Sequence, residues 1–144
     1  KQKTAYARSL GLVGSEMCIR DRSHSAVKLS DGSVLVVGGR GKKLTSEVYN
    51  PLTDTWTKVG NTEIPRSEAF AVRMLDGRVL ITGGIGLRIS GEIFDPDTGD
   101  WTRTLDMHDT RYRHQMIVLD SGKILVIGGN GKEGLLAETE LFTP

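Results

Sequence analysis

A pair of adjacent glycines recurs along the chain at a constant interval of 45 residues. The pairs are Gly38-Gly39, Gly83-Gly84 and Gly128-Gly129. Glycine is also abundant overall, with 18 of 144 residues against about 7% in an average protein. Periods of about 20 to 50 residues are typical of proteins that stack copies of one supersecondary unit, so the sequence predicts a repeat fold.

Other landmarks keep the same interval and define the limits of the repeats. They are the turn pairs Asp31-Gly32, Asp76-Gly77 and Ser121-Gly122, and the matched residues Pro51 and Pro96, Trp56 and Trp101, and Arg66 and Arg111. Residues 23–66 and 67–111 are therefore two complete repeats, and residues 112–144 are an incomplete third. We expect the glycine pairs and the two tryptophans to have structural roles.

Each repeat contains four short segments that we interpret as strands A to D. Strand A is predicted at 26–29, 71–74 and 116–119, strand B at 34–37, 79–82 and 124–127, strand C at 47–49, 92–94 and 140–142, and strand D begins at Trp56 and Trp101. The A–B corner carries Asp-Gly or Ser-Gly, because glycine accepts the positive φ that a tight hairpin requires. Strand B is a continuous apolar run, which is typical of a strand buried on both faces. The predicted class is all-β.

A four-stranded sheet with two apolar faces needs a neighbouring sheet on each side. Radial stacking supplies those neighbours, and β-propellers close with about 4–8 such blades. The repeats amount to fewer than three blades, so we expect a fragment of a larger propeller. Further blades, and a fourth strand for the third repeat, are expected outside residues 1–144.

These landmarks resemble kelch repeats, in which a glycine pair follows strand B, a Glu-x-aromatic segment forms strand C and a tryptophan lies in strand D. The resemblance covers residues 23–144, and the Asp-Gly-x-Val-Leu-x-x-Gly-Gly form is similar to the kelch repeats of galactose-oxidase-type and bacterial propellers. Ligands of kelch propellers commonly contact residues just after the glycine pair and around the arginine before strand A. The resemblance therefore implies binding roles for Arg40, Ile85, Asn130, Arg66-Ser67 and Arg111-Tyr112.

Residues 1–22 share no pattern with the repeats. Their Leu12–Asp21 string resembles a translated sequencing-library adapter, so we interpret 1–22 as a non-native, disordered leader. The repeat predicts an arginine at position 21, where the chain has Asp21. The single cysteine, Cys18, lies in this segment, and without the segment the chain has 14 basic and 16 acidic side chains. A nucleic-acid partner is therefore not expected.

Three patterns suggest a cofactor or metal, and each has a structural alternative that we prefer. The GxGxxG run 129–134 follows a strand, as in a dinucleotide cradle, but its counterparts in the other repeats lead into strands. The acidic run 95–100 has its glycine one position early for an EF-hand loop. Tyr112 and His114 resemble copper ligands of galactose oxidase, but they are not adjacent and the repeats contain no cysteine. No cofactor is expected.

The strand order places the B–C and D–A loops at one end of each sheet, and these loops differ between repeats. Variable loops on a rigid scaffold are where recognition is usually placed. They carry eight basic against six acidic side chains, which favours an acidic peptide. The candidate ligand-binding residues are Arg40, Lys42, Arg66, Ser67, Arg111, Tyr112 and Asn130. For Arg66 and Arg111, bracing of neighbouring blades is an equal alternative.

The sequence thus predicts a non-catalytic kelch-type module that binds a protein or peptide. The alternatives are scaffold blades of a galactose-oxidase-type copper radical oxidase and a purely architectural or adhesion segment. No apolar run approaches the ~20 residues that a membrane-spanning helix needs, so we expect no membrane insertion. The sequence does not indicate the compartment.

Overall fold

The computed structural model describes residues 23–40, 44–86, 88–104 and 106–144. The predicted leader 1–22 lies outside the described residues. The described residues form eleven β-strands in three antiparallel sheets and contain no helix, which confirms the all-β class. It follows that the described part of the chain holds no helix that could span a membrane.

Each sheet is a meander in which the strands pair in chain order. The first sheet contains β1 (His24–Lys28), β2 (Val34–Gly38), β3 (Ser46–Asn50) and β4 (Thr55–Lys58). The second contains β5 (Phe70–Arg73), β6 (Val79–Thr82), β7 (Gly91–Phe94) and β8 (Trp101–Arg103). The third contains β9 (Gln115–Val118), β10 (Ile124–Ile127) and β11 (Thr139–Phe142). Every strand predicted within residues 23–144 is present, and its limits lie within two residues of the predicted ones.

The hairpin turn between the first two strands of each sheet has glycine as the last residue of a three-residue loop. In the first sheet the Leu29 amide donates to the Ser33 carbonyl at 2.8 Å, and the Gly32 amide donates to the Leu29 carbonyl at 3.2 Å. Gly32 has a φ of 88°, so the loop is a type I turn followed by a left-handed glycine. Asp31 Oδ1 accepts hydrogen bonds from the Ser33 hydroxyl and amide, which lower the pKa of Asp31.

The apolar core lies between adjacent sheets, and the second sheet is covered on both faces. In β6, Val79 and Ile81 pack toward the first sheet, whereas Leu80 packs toward the third. In β2, Leu35 and Val37 are the buried residues, and both pack toward the second sheet. Burial of one such side chain contributes about 1.5–3 kcal/mol, so packing between sheets is the main source of stability. Burial of strand B on both faces is confirmed for the second sheet.

The first strands of the three sheets lie side by side, β1 against β5 and β5 against β9. Just before them, three residues at the repeat interval have left-handed backbone: Ser23, Glu68 and Arg113, with φ of 65°, 56° and 55°. The Glu68 amide donates to the Ser23 carbonyl and the Arg113 amide to the Glu68 carbonyl, both at 3.0 Å. A left-handed non-glycine residue costs roughly 1–2 kcal/mol, which this row of hydrogen bonds between sheets offsets. The row aligns the D–A connections of successive sheets.

The glycine pair that ends each strand B allows the backbones of two loops to approach closely. Gly83 has a φ of 67°, and a Cβ atom on it would overlap the backbone carbonyl oxygen of Arg111. Gly84 donates its amide to the same carbonyl at 2.8 Å. The same arrangement recurs one repeat earlier, where a Cβ atom on Gly38 would overlap the carbonyl oxygen of Arg66.

We expect Gly83→Ala to lower the free energy of unfolding by at least ~3 kcal/mol, because the added Cβ meets backbone that cannot shift without breaking a hydrogen bond. Gly32→Ala is the matched control, since Gly32 also has a positive φ of 88° but nothing within 4 Å of the added atom. Only the left-handed strain of roughly 1–2 kcal/mol should remain there. Urea denaturation followed by circular dichroism measures both values, and equal losses would contradict the close-approach explanation.

Candidate binding face

The loops opposite the hairpin turns form a continuous surface that we call the loop face. Its described residues include Arg40, Ser67, Glu68, Ile85, Arg88, Tyr112, Arg113, Asn130, Lys132 and Leu135. Backbone hydrogen bonds join each D–A connection to the B–C loop of the following sheet. The Ile85 amide donates to the Ser67 carbonyl at 2.8 Å, and the Asn130 amide donates to the Tyr112 carbonyl at 2.9 Å. The loop face is therefore held together by its backbone.

Arg66 lies on the connection between the first and second sheets, and its side chain is fully buried. Its Nε and Nη2 donate to Glu92 Oε1 on β7, at 3.0 and 2.7 Å. Its Nη1 donates to the carbonyl oxygens of Gly83 and Ser90, at 2.9 and 2.7 Å. Burial lowers the pKa of Arg66, and the Glu92 carboxylate opposes that shift. Every nitrogen of this guanidinium thus donates a hydrogen bond inside the protein. Arg66 therefore braces the two sheets and has no free donor for a ligand.

Arg111 has a similar place on the connection between the second and third sheets, but its Nη2 makes an ion pair with Glu140 and no hydrogen bond among the described residues. Its side chain is also fully buried, and its Nε donates to Glu140 Oε1 on β11 at 2.9 Å. Its Nη1 donates to the carbonyl oxygens of Gly128 and Glu138, both at 2.9 Å. The backbone carbonyl of Arg111 accepts from the preceding sheet, so the residue joins the two sheets. Like Arg66, it does not present its guanidinium to the loop face.

The burial of these two arginines changes the charge of the loop face. The eight basic side chains counted along the loops included Arg66 and Arg111, and the remaining six equal the number of acidic ones. A basic excess therefore no longer supports an acidic partner. Any preference for carboxylates depends on individual exposed cations, of which Arg40 is the one that directly follows a glycine pair.

The remaining sequence candidates are placed in different ways. Arg40 is exposed, whereas Ser67, Tyr112 and Asn130 are half-buried at the loop face. Tyr112 and Asn130 are brought together, because their backbones exchange two hydrogen bonds of 3.0 and 2.9 Å. Lys42 lies outside the described residues.

The structure adds an ion pair that sequence reasoning missed. Arg113 Nη2 donates to Glu68 Oε1 at 2.9 Å, and Arg113 Nε lies 2.5 Å from the other carboxylate oxygen. The guanidinium carbon also lies 5.9 Å from the ring centre of Tyr112. The hydrogen bond to Glu68 raises the pKa of Arg113. The sequence does hold a signal for this ion pair. Glu68 and Arg113 are 45 residues apart, the repeat interval, and each lies two residues after Arg66 or Arg111.

His114 is buried between the second and third sheets. Its Nε2 is 2.8 Å from Thr82 Oγ1 on β6, and the Thr82 hydroxyl also contacts the Met116 sulfur at 3.2 Å. Among the described residues, its Nδ1 has no hydrogen-bond partner. Burial lowers the pKa of His114 from 6.5 to about 4, and the positive charge of Arg111 adds to the shift. The imidazole is therefore a neutral packing group at physiological pH.

The patterns that suggested metals or nucleotides fold as turns. The Asp97 amide donates to Asp95 Oδ1 at 2.9 Å and the Gly99 amide to the Asp95 carbonyl at 2.8 Å, which closes the turn between β7 and β8. In the run 129–134, the Gly131 amide donates to the Gly134 carbonyl at 2.7 Å, and the chain continues into β11. Within the described ranges, no three His, Cys, Asp or Glu side chains cluster as metal ligands would.

No family model and no curated protein matches this chain. Among solved structures 140 chains match, and one of them is YjhT. The two chains share 21% sequence identity and superpose with a TM-score of 0.67. The aligned region covers 78% of this chain but only 35% of YjhT. A likeness at this identity concerns the fold alone.

We expect Arg66→Met to lower the free energy of unfolding by about 3–5 kcal/mol, because it leaves the buried Glu92 carboxylate without its partner. Arg113→Met is the matched control, since it removes an exposed arginine that is also paired with a glutamate. Because Arg113 is exposed and water screens its charge, its loss should be the smaller of the two. Urea denaturation measures both, and a loss below ~1 kcal/mol for Arg66→Met would contradict the bracing role.

The lowered pKa of His114 predicts a pH-dependent stability. Between its ordinary pKa of 6.5 and about 4, the unfolded chain binds a proton at His114 that the folded chain does not. The free energy of unfolding is therefore highest above pH 6.5 and falls as the pH decreases toward 4, by an amount of the order of 3 kcal/mol. His114→Gln should flatten this part of the curve, whereas His24→Gln, at an exposed position on β1, should leave it unchanged. Urea denaturation at several pH values tests this, and the same slope in all three proteins would refute it.

Proposed function

We propose that residues 23–144 are blades of a kelch-type β-propeller and form a non-catalytic module that binds a protein or peptide through the loop face. The observation that carries the proposal is a repeated backbone with side chains that do not repeat. Ile85 and Asn130 follow their glycine pairs and donate the same backbone hydrogen bond to the preceding D–A connection. With Arg40, these equivalent positions carry a cation, an aliphatic chain and an amide. A constant scaffold with variable side chains is typical of recognition surfaces.

The arrangement of the sheets supports the propeller part of the proposal. Their first strands adjoin one another, and the middle sheet is covered on both faces, as radial stacking requires. The backbone row through Ser23, Glu68 and Arg113 crosses from sheet to sheet at the same point of each repeat.

The chemistry of the loop face supports a protein or peptide partner. Ile85 is 49% exposed and Leu135 is 86% exposed, so the face presents aliphatic surface. The Arg113 guanidinium carbon lies 5.9 Å from the Tyr112 ring centre there, and aromatic and arginine side chains are enriched where protein interfaces bind most strongly. Arg40 is exposed and able to hold a carboxylate with paired hydrogen bonds. We therefore propose a partner with apolar side chains and a carboxylate placed to meet Arg40.

A library of random peptides displayed on phage and selected against the 144-residue chain tests this function. We expect enriched peptides to bind the wild-type protein, and to bind the loop-face variant Arg40→Ala/Ile85→Ala at least ~10-fold more weakly, which is ~1.4 kcal/mol. The control variant Leu52→Ala/Leu75→Ala removes two exposed leucines from the turns at the opposite end and should bind as the wild type does. Equal affinities for the wild-type and loop-face proteins, or no enriched peptide, would contradict the proposal.

A further inference from the structure

Arg88 of the loop face is a part-buried cation with no counter-charge inside the protein. It lies in the B–C loop of the second sheet, between β6 and β7, and the residue is half-buried. Its Nε is buried and has no hydrogen-bond partner among the described residues. None of their carboxylates lies within ion-pair distance of its guanidinium. Buried donors in folded proteins are nearly always bonded, so this one requires an explanation.

The other arginines in the described ranges are either paired with a carboxylate or exposed. Arg40 and Arg73 have no carboxylate partner there, and both are exposed to solvent. Arg88 alone among the described arginines combines partial burial with the lack of an acidic partner. The paired arginines are Arg66 with Glu92, Arg78 with Asp76, Arg103 with Asp106, Arg111 with Glu140, and Arg113 with Glu68.

The Arg88 side chain is held in place by the backbone of its own loop. Gly86 has a φ of 102°, and a Cβ atom on it would lie 3.4 Å from Arg88 Nε and 3.6 Å from Cζ. The guanidinium therefore packs against the glycine, where a side chain would reduce the space. The Arg88 carbonyl accepts from the Arg111 amide at 3.3 Å, which fixes the other side of the residue. A group that is positioned before its ligand arrives loses less entropy on binding.

The surroundings of Arg88 are formed by sheets on both sides. Its loop is bonded to the preceding D–A connection, through the Ile85 amide and the Ser67 carbonyl, and to the following one, through the Gly84 amide and the Arg111 carbonyl. The lack of an acidic partner is therefore a property of the middle sheet, whose neighbours are both described.

The nearest buried charge to which Arg88 is coupled is also positive. Burial lowers the pKa of Arg66, and the positive charge of Arg88 lowers it further. Glu92 opposes this shift, but it is already bonded to Arg66 through Oε1 and to the Glu63 amide through Oε2. A carboxylate bound at Arg88 would offset the repulsion between the two arginines.

The repeat distinguishes Arg88 from the scaffold that carries it. At the 45-residue interval, Gly86 is matched by Gly41 and Gly131, whereas Arg88 is matched by Lys43 and Glu133. The glycine is thus constant and the charge is not. A side chain that changes on a constant loop is typical of a residue that sets specificity.

We propose that Arg88 is a carboxylate-binding site of the loop face, which holds the carboxylate of a peptide whose adjacent apolar side chain contacts Ile85. A guanidinium binds a carboxylate with two parallel hydrogen bonds, and Ile85, three residues before Arg88, is 49% exposed. This inference rests on the proposed function and adds a second acidic position to the one expected at Arg40. An acidic side chain and a chain terminus offer the same carboxylate, and the experiment separates them.

Nuclear magnetic resonance of the ¹⁵N-labelled 144-residue chain tests the site through the Arg88 Nε–Hε signal, which is assigned by its loss in Arg88→Gln. The probes are acetyl-Glu-Leu-amide, acetyl-Gln-Leu with a free terminal carboxylate, and the neutral acetyl-Gln-Leu-amide. We expect a saturable shift with a dissociation constant below ~10 mM for a probe that carries a carboxylate. The first probe identifies a side-chain carboxylate and the second a terminal one. The neutral probe should bind at least ~10-fold more weakly, because it cannot neutralise the guanidinium.

Two variants that remove the same charge locate the binding. Arg88→Gln should weaken the carboxylate probe at least ~10-fold, measured at the Ile85 amide signal. Arg73→Gln is the matched control, since Arg73 is an exposed arginine on β5 outside the loop face, and it should bind as the wild type does. Equal binding of the neutral and charged probes, no saturation, or equal affinities of the two variants would overturn the inference.

The outcome is separable from that of the phage selection. Enriched peptides that lose affinity in Arg40→Ala/Ile85→Ala but keep it in Arg88→Gln would overturn this inference and leave the proposed function standing. A selection without enriched peptides would contradict the proposed function, whereas saturable binding of a carboxylate probe at Arg88 would still support the site.

Discussion

The buried pair of Arg66 and Glu92 is the interaction on which the joining of the first two sheets depends. The backbone carbonyl of Arg66 accepts from Gly39 of the first sheet, while its guanidinium bonds Glu92 and the Gly83 and Ser90 carbonyls of the second. A buried charge is costly unless every donor is satisfied, so this position tolerates little movement of either sheet. Arg111 joins the second and third sheets in a similar way one repeat later, through its Nε and Nη1 hydrogen bonds.

This brace explains why backbone conformation is so restricted around it. Gly38 and Gly83 are needed because the carbonyl of an arginine lies where a Cβ atom would be. Glu68 and Arg113 have left-handed backbone and carry hydrogen bonds between sheets. Because the backbone is held so firmly, side chains that leave it toward solvent are free to differ between repeats. Among the described residues, the loop face carries these differing side chains.

Much of the fold could be predicted because its signals are local. Apolar runs and glycine turns located every strand within residues 23–144 to within two residues, and the hairpin turns behave as the Asp-Gly pairs indicated. The candidate site was predicted less well. The sequence around an arginine before a strand does not show whether its side chain contacts a ligand or a buried carboxylate. The carboxylate partners also lie at different sequence separations, since Glu92 is 26 residues from Arg66 and Glu140 is 29 from Arg111. Because the two separations differ, comparing positions at the 45-residue interval does not reveal these arginine–glutamate pairs.

The period, the strands, the turns and the equivalence of residues between repeats all follow from the sequence, because each depends on local chemistry. Tertiary structure alone decided what equivalent residues do. Trp101 Nε1 donates to Ser46 Oγ of the preceding sheet at 2.9 Å, whereas Trp56 Nε1 is buried without a partner among the described residues. His24 is exposed and its counterpart His114 is buried. The physical reason is that burial and hydrogen bonding depend on the neighbouring sheet, which the residues of one repeat do not specify.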